Sequence, residues 1–229
     1  EQVWEVTDFH NVSKRINKTA SSGNFSFGYL ADNEMKKNEF VAFKATSAYS
    51  PTFVAKIANQ DINSLQGIDY LIITRKDMLM QGERMAKYYQ DTKQYKTAVV
   101  DVDQIYNEYS SGGRDITAIR DFIAYLHHQR GGVKYVLLIG DTSYDYKNLT
   151  AGNDNVVPSY QSEESSNYDT SFVTDDYFVM LNPNGSTYIT SNLPTIPIGR
   201  LPASNPTEAK LLVDKTLAYY NALNGQSSP

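Results

Sequence analysis

Val133-Lys134-Tyr135-Val136-Leu137-Leu138-Ile139 runs straight into Gly140-Asp141, and it is the best central-strand candidate in the chain. A short apolar run of this kind, closed by turn residues, predicts a strand covered on both faces. Tyr70-Leu71-Ile72-Ile73-Thr74 and Thr97-Ala98-Val99-Val100-Asp101 read the same way. Between them Met78, Met85, Ala86 and Tyr89 recur at helical spacing, which completes a strand-helix-strand unit. A second helix is expected from near Asp115, with Ile116, Ile119, Phe122, Ile123 and Leu126 on one face, and it leads into the central run. The alternation of strands and helices predicts an α/β fold: a mainly parallel open sheet with flanking helices.

Further out the signals change. Ile196-Pro197-Ile198-Gly199-Arg200 reads as a last strand, and its internal proline places it at an edge or a strand end. The final helix has Asn205 as N-cap, Pro206 at its first position, Glu208 two residues on, and Ala209, Leu212, Val213, Leu217 and Tyr220 on its apolar face. Residues 1–65 carry short alternating runs, Val3-Trp4-Glu5-Val6, Asn24-Phe25-Ser26-Phe27 and Glu39-Phe40-Val41-Ala42-Phe43, between Ser- and Asn-rich stretches. They read as a β-rich segment, the end of an upstream domain, with a boundary near Asn63 to Gly67. The α/β part then covers 66–223, and residues 224–229 read as a linker. Tyr177-Phe178-Val179-Met180-Leu181 and Ser186-Thr187-Tyr188-Ile189-Thr190 flank a turn and suggest a hairpin.

Composition narrows the function. The 229 residues hold 41% hydrophobic and 21% charged side chains, and 21 basic against 26 acidic residues give a net charge of −5. That balance offers no footprint for a phosphate backbone, so nucleic acid is not an expected partner. No apolar run reaches the roughly 18 residues of a bilayer span. Cysteine is absent, which removes disulfides, thiolate metal sites and a cysteine nucleophile from these residues. The chain opens without Met and without a signal-peptide layout, and it closes on a polar breaker segment, so a longer polypeptide is expected around it.

The long polar stretch from Asp141 to Asp175 is too large for an idle connection and reads as a functional or binding loop. Asp141 and Asp145 follow the central strand, where open α/β sheets bind ligands, and Asp175 and Asp176 close the loop. These four carboxylates are the candidate metal ligands, with calcium as the possible cation, although their spacing fits no EF-hand and turn-forming Asp is the simpler role. No cofactor is required by any motif. Gly112-Gly113 and Gly131-Gly132 lack phosphate-loop spacing, and no Gly-x-Ser-x-Gly elbow occurs. His127 and His128 fall at a helix end, where positive charge suits the dipole, and nothing marks His10 as a base. Arg200 is expected to pair with an Asp of the long loop. A receiver-like reading of Asp101, Asp141 and Thr74 lacks the late-strand lysine that chemistry needs.

The segments Asp69-Tyr70-Leu71-Ile72-Ile73-Thr74, Ile105-Tyr106-Asn107-Glu108-Tyr109-Ser110-Ser111-Gly112, Tyr135-Val136-Leu137-Leu138-Ile139-Gly140-Asp141 and Pro197-Ile198-Gly199-Arg200-Leu201-Pro202 together resemble the gingipain-type cysteine peptidases. Val3-Trp4-Glu5-Val6-Thr7-Asp8 and Thr174-Asp175-Asp176-Tyr177-Phe178 extend the likeness, which is strongest to the type IX secretion sortases of Bacteroidetes. The resemblance implies two α/β subdomains, the first without reactive residues, and this chain matches the first. The family's base is a His within Gly-His-Gly and its nucleophile a Cys. No His here is flanked by glycines and no Cys is present, so no catalytic residue carries over.

The resemblance further implies an exported enzyme at the outer membrane of a Gram-negative bacterium. Its partners would be the downstream catalytic subdomain, secreted cargo whose C-terminal sorting domain is removed, other type IX secretion components, and a lipopolysaccharide acceptor. A noncatalytic calcium- or peptide-binding module is the alternative that the residues leave open.

Overall fold

The computed structural model describes residues 1–18, 24–29, 37–53, 55–146, 149–152, 155–162, 166–167, 169–182, 193–223 and 225. The chain divides into two units, Glu1–Ala58 and Asn59–Pro229. In the first, β1 (Gln2–Glu5) pairs antiparallel with both β2 (Ser13–Arg15) and β3 (Phe40–Phe43). Trp4 meets Phe43 edge-on at 5.2 Å, and Arg15 pairs with Glu5 across β1 and β2. Asn24–Phe27, expected to be a strand, has no regular structure. Its phenylalanines pack on one another and on Phe40 instead, with Phe27 and Phe40 centroids 4.9 Å apart.

The second unit carries the parallel sheet. Its four strands run in the order β5 (Thr97–Asp101), β4 (Tyr70–Thr74), β6 (Tyr135–Ile139), β9 (Ile198–Leu201). All neighbours are parallel, with Tyr70 beside both Thr97 and Tyr135, and Val136 beside Ile198. Every residue of β4 is buried, as a strand with helices over both faces must be. The chain passes through α1 (Leu79–Lys93) to β5, then through α2 (Val102–Tyr109) and α3 (Ile116–Gln129) to β6 on the other side of β4. Right-handed crossovers therefore put α1 on one face and α3 on the other. The last helix, α4 (Pro206–Leu223), packs on α1.

Glycine explains how closely α1 approaches the sheet. A Cβ on Gly82 would lie 2.7 Å from Val99 Cγ1 and 3.4 Å from Ile72 Cγ2, so a larger residue would push the helix outward. The last helix starts as its sequence predicts: Asn205 Oδ1 accepts from Thr207 N at 3.1 Å and Glu208 N at 3.0 Å, while Glu208 Oε2 accepts from Ser204 N at 2.9 Å. β9 takes the sheet edge, with Pro197 just outside it offering its carbonyl to Val136 N at 3.1 Å.

Three features differ from the pattern in the sequence. The α/β unit begins at Asn59 because Glu108 on α2 gathers the preceding residues: it accepts from Gln60 Nε2 at 2.8 Å, Ile62 N at 3.0 Å and Asn63 Nδ2 at 2.9 Å. That helix carries no separate signal, being eight residues, just over two turns, capped by Asp101. Tyr177–Leu181 is not a strand. Asp176–Val179 forms a 3-10 turn that buries Tyr177, Phe178 and Val179 in succession against α3, which alternation cannot do. Thr174 Oγ1 accepts from Asp176 N at 3.1 Å and starts the turn. The expected second arm, Ser186–Thr190, lies outside the described residues. Within the long loop β7 (Tyr160–Gln161) pairs antiparallel with β8 (Val173–Thr174).

Candidate functional site

The strands of the parallel sheet end together at Thr74, Asp101, Ile139 and Leu201. Buried Thr74 ties two of these ends by donating from Oγ1 to Ile139 O at 2.6 Å. Asp101 caps α2, accepting from Asp103 N at 3.2 Å, and burial holds its carboxyl above the ordinary value. Just beyond β6, Gly140 has φ of 154°, and a Cβ there would meet Val156 Cγ1 at 2.6 Å. The loop is thereby laid directly on the strand end.

Arg200 on β9 organises that edge. Its Nε and Nη2 meet the two oxygens of Asp175 at 2.8 and 2.6 Å. Its Nη1 donates to Gly140 O and Val157 O, both at 2.7 Å, and Nη2 also reaches Pro158 O at 3.1 Å. All five contacts come from a side chain only 12% exposed, and the guanidinium is spent on binding the two ends of the loop to the sheet. The sequence names the partner class, an Asp of the loop, but the three carbonyls are visible only once the chain is folded.

Asp141 and Asp145 are likewise engaged in hydrogen bonds to nearby protein groups. Asp141 takes its own neighbour, Thr142 N, at 2.9 Å and Ser204 Oγ at 3.2 Å, and its carbonyl accepts from Val156 N at 3.0 Å. Asp145 is buried and accepts from Thr150 N at 2.6 Å. Asp176 is exposed. Among the described residues no three His, Asp or Glu side chains gather as a metal-holding set. A network the sequence does not signal holds the loop's first half: buried Asn155 accepts from Ser143 N at 2.6 Å and Thr142 Oγ1 at 3.1 Å, donates to Asp145 O at 3.0 Å, and Thr142 also meets Ser159 at 3.0 Å.

Beside this network a cavity of about 450 Å³ opens between the loop and the start of α3, lined by Arg114, Ile116, Tyr146, Pro158 and Gln161 among others. It can receive a polar or peptide-like group. The histidines belong to the packing: His127 Nδ1 is 3.0 Å from Val133 O, and His128 Nε2 is 2.7 Å from Leu181 O, which pins the 3-10 turn to α3. His10 is exposed and stacks on Phe9. Among the described residues the edge is a hydrogen-bonded platform.

The parallel sheet with helices on both faces places this unit in the α/β class. A family model for peptidase family C25 matches residues 63–228, and the chain belongs to that family, the gingipain-type cysteine peptidases. Among solved structures, the crystal structure of dimeric latent PorU from Porphyromonas gingivalis is similar, with a TM-score of 0.80 and 25% identity over 95% of this chain. The chain spans 22% of that structure's length. No curated protein matches. Among the described residues no helix is long and apolar enough to cross a membrane.

Proposed function

We propose that this chain is the supporting, noncatalytic α/β subdomain of a type IX secretion sortase. In this reading the whole enzyme removes the C-terminal sorting domain of secreted cargo and attaches the cargo to surface lipopolysaccharide at the outer membrane. One observation carries the assignment: the likeness to PorU of a family-C25 sheet whose carboxyl edge is held by Arg200 and Asp175, in a sequence without a single cysteine.

Thiolate chemistry needs a nucleophile, a base within hydrogen-bond reach and oxyanion donors, held to within about half an ångström. Such tolerances require a surround that does not itself move. The clamp, the Thr74 tie and the Asn155 network supply stiffness at the carboxyl edge of the sheet, where a neighbouring subdomain would present its reactive groups. The cysteine and histidine would come from that second subdomain.

The test is turnover of a peptide carrying a sorting-domain cleavage site. The purified chain is expected to leave it intact, whereas a longer protein containing both subdomains cleaves it and loses that activity to a thiol-alkylating reagent. Cleavage by the purified chain alone would overturn the assignment.

A further inference from the structure

Tyrosine is the most conspicuous residue of the sequence, 18 in all, and six of them collect at the edge of the sheet opposite the Arg200 clamp. Tyr70 and Tyr135 begin β4 and β6, Tyr88 and Tyr89 lie in the last two turns of α1 with Tyr95 just past its end, and Tyr220 lies near the end of α4. Their rings pair nearly parallel: Tyr70 on Tyr89 at 4.1 Å, Tyr88 on Tyr220 at 5.4 Å, Tyr95 on Tyr135 at 5.5 Å. Tyr89 donates to the Tyr220 hydroxyl at 3.3 Å. Only Tyr70 is fully buried, while Tyr135 is 36% exposed and the others are partly so.

Two hollows share this surface. One, of about 330 Å³, is walled by Tyr70, Tyr95 and Tyr135 over the backbone of Pro197 to Gly199. The other, of about 240 Å³, is walled by Tyr88, Tyr220 and Leu223. Tyr89 and Lys93 belong to both. Lys93 ends α1, is exposed, and has no ion-pair partner among the described residues.

This chemistry selects its ligand. Partly exposed tyrosine rings line both hollows with apolar carbon and carry hydroxyls at their rims, the kind of lining that receives prolines in polyproline recognition. A cation is disfavoured by Lys93, and an acidic group is favoured. The spacing agrees as well. Tyr89 and Lys93 line both hollows, so the two adjoin. A polyproline II helix turns once in three residues, so prolines at i and i+3 face the same way and can address adjoining hollows. We propose that this two-lobed tyrosine groove binds a proline-rich polypeptide segment in the polyproline II form, with a flanking acidic side chain on Lys93.

The experiment titrates the chain with two acetylated peptides, each of three Ala-Pro-Pro repeats, one ending in Glu and the other in Gln, followed by amide and tyrosine ring shifts. Saturable binding is expected, with the Glu peptide about threefold tighter, the size of one exposed ion pair. Lys93→Gln should erase that preference and leave the Gln peptide unchanged. Tyr135→Ala should weaken both peptides about tenfold through loss of one wall. Lys93 is exposed, so its variant tests the groove even where the tyrosine variant fails to fold. Absence of saturable binding, an unaltered preference in Lys93→Gln, or binding of a heparin-derived tetrasaccharide with neither peptide bound would overturn the proposal.

Discussion

Replacing Arg200 with Met keeps an unbranched apolar stem but removes the guanidinium, and deletes five hydrogen bonds at once. Three of the acceptors are carbonyls, Gly140 O, Val157 O and Pro158 O, and each left unsatisfied costs about 1 kcal/mol or more. Breaking a buried ion pair from one side costs about 3–5 kcal/mol in all. The Asp175 carboxylate is 21% exposed, so water recovers part of its solvation and the lower half of that range applies. We expect a loss of about 3–4 kcal/mol, which in a unit of this size lowers Tm by about 10 °C. Urea unfolding followed by circular dichroism measures it. Adding Asp175→Asn to Arg200→Met should restore part of the loss, because the unpaired charge is then gone. A change below about 1 kcal/mol for Arg200→Met would refute the claim that the clamp holds the edge together.

The remaining predictions concern the same edge and the base of the sheet. Gly140→Ala places a methyl 2.6 Å from Val156 Cγ1 at a φ of 154°, and should cost about 2–4 kcal/mol in thermal unfolding, most of it through displacement of the loop. Asp101→Ala should cost about 1 kcal/mol as a lost N-cap. Asp101→Asn keeps the acceptor. Because burial raises the Asp101 carboxyl above its ordinary 3.8, its ionised form opposes folding, so the Asn variant should gain on the wild type as pH rises past 3.8. Lys134 and the backbone N–H of Lys96 hold Asp69 below 3.8, and Asp69 in turn raises Lys134 above 10.5. The contribution of this pair is complete between those values, fading as pH falls through the lowered Asp69 value or climbs through the raised Lys134 value. Stability curves of Asp69→Asn should therefore be flatter than wild type at both ends; parallel curves would contradict the pairing.

Much of the fold is legible in the sequence because three strands carry continuous apolar runs. Tyr70–Thr74 and Tyr135–Ile139 need no partner information to be recognised as buried strands, Thr97–Asp101 shows the same run although it takes the sheet edge and is only partly covered, and Asn205 with Glu208 marks a helix start by local chemistry alone. The short helix Val102–Tyr109 escapes because its cap, Asp101, is also the last residue of a strand, so no turn signal separates the two. The turn at Asp176–Val179 misleads for a different reason. Tyr177, Phe178 and Val179 have strong β propensity, yet all three must be covered by α3, and the tertiary demand wins.

The site is less legible than the fold. Arg200 and Asp175 stand out as charges at sensible places, but their significance lies in backbone carbonyls that no sequence position announces. Asn155, Thr142 and Ser159 look like ordinary loop residues, and only burial turns them into a network. The acidic residues of the loop show the converse: Asp141 and Asp145 carry the charge of candidate ligands and spend it on neighbouring N–H groups.

A supporting subdomain must act through a neighbour, so the decisive measurement is reconstitution. The cysteine-bearing subdomain of the same protein, produced separately, is mixed with this chain while sorting-domain cleavage and association are followed together. The account predicts that the isolated partner cleaves slowly, that adding this chain raises the rate in saturable fashion, and that Arg200→Met weakens the rescue. Full activity of the partner alone, with no association on mixing, would contradict it.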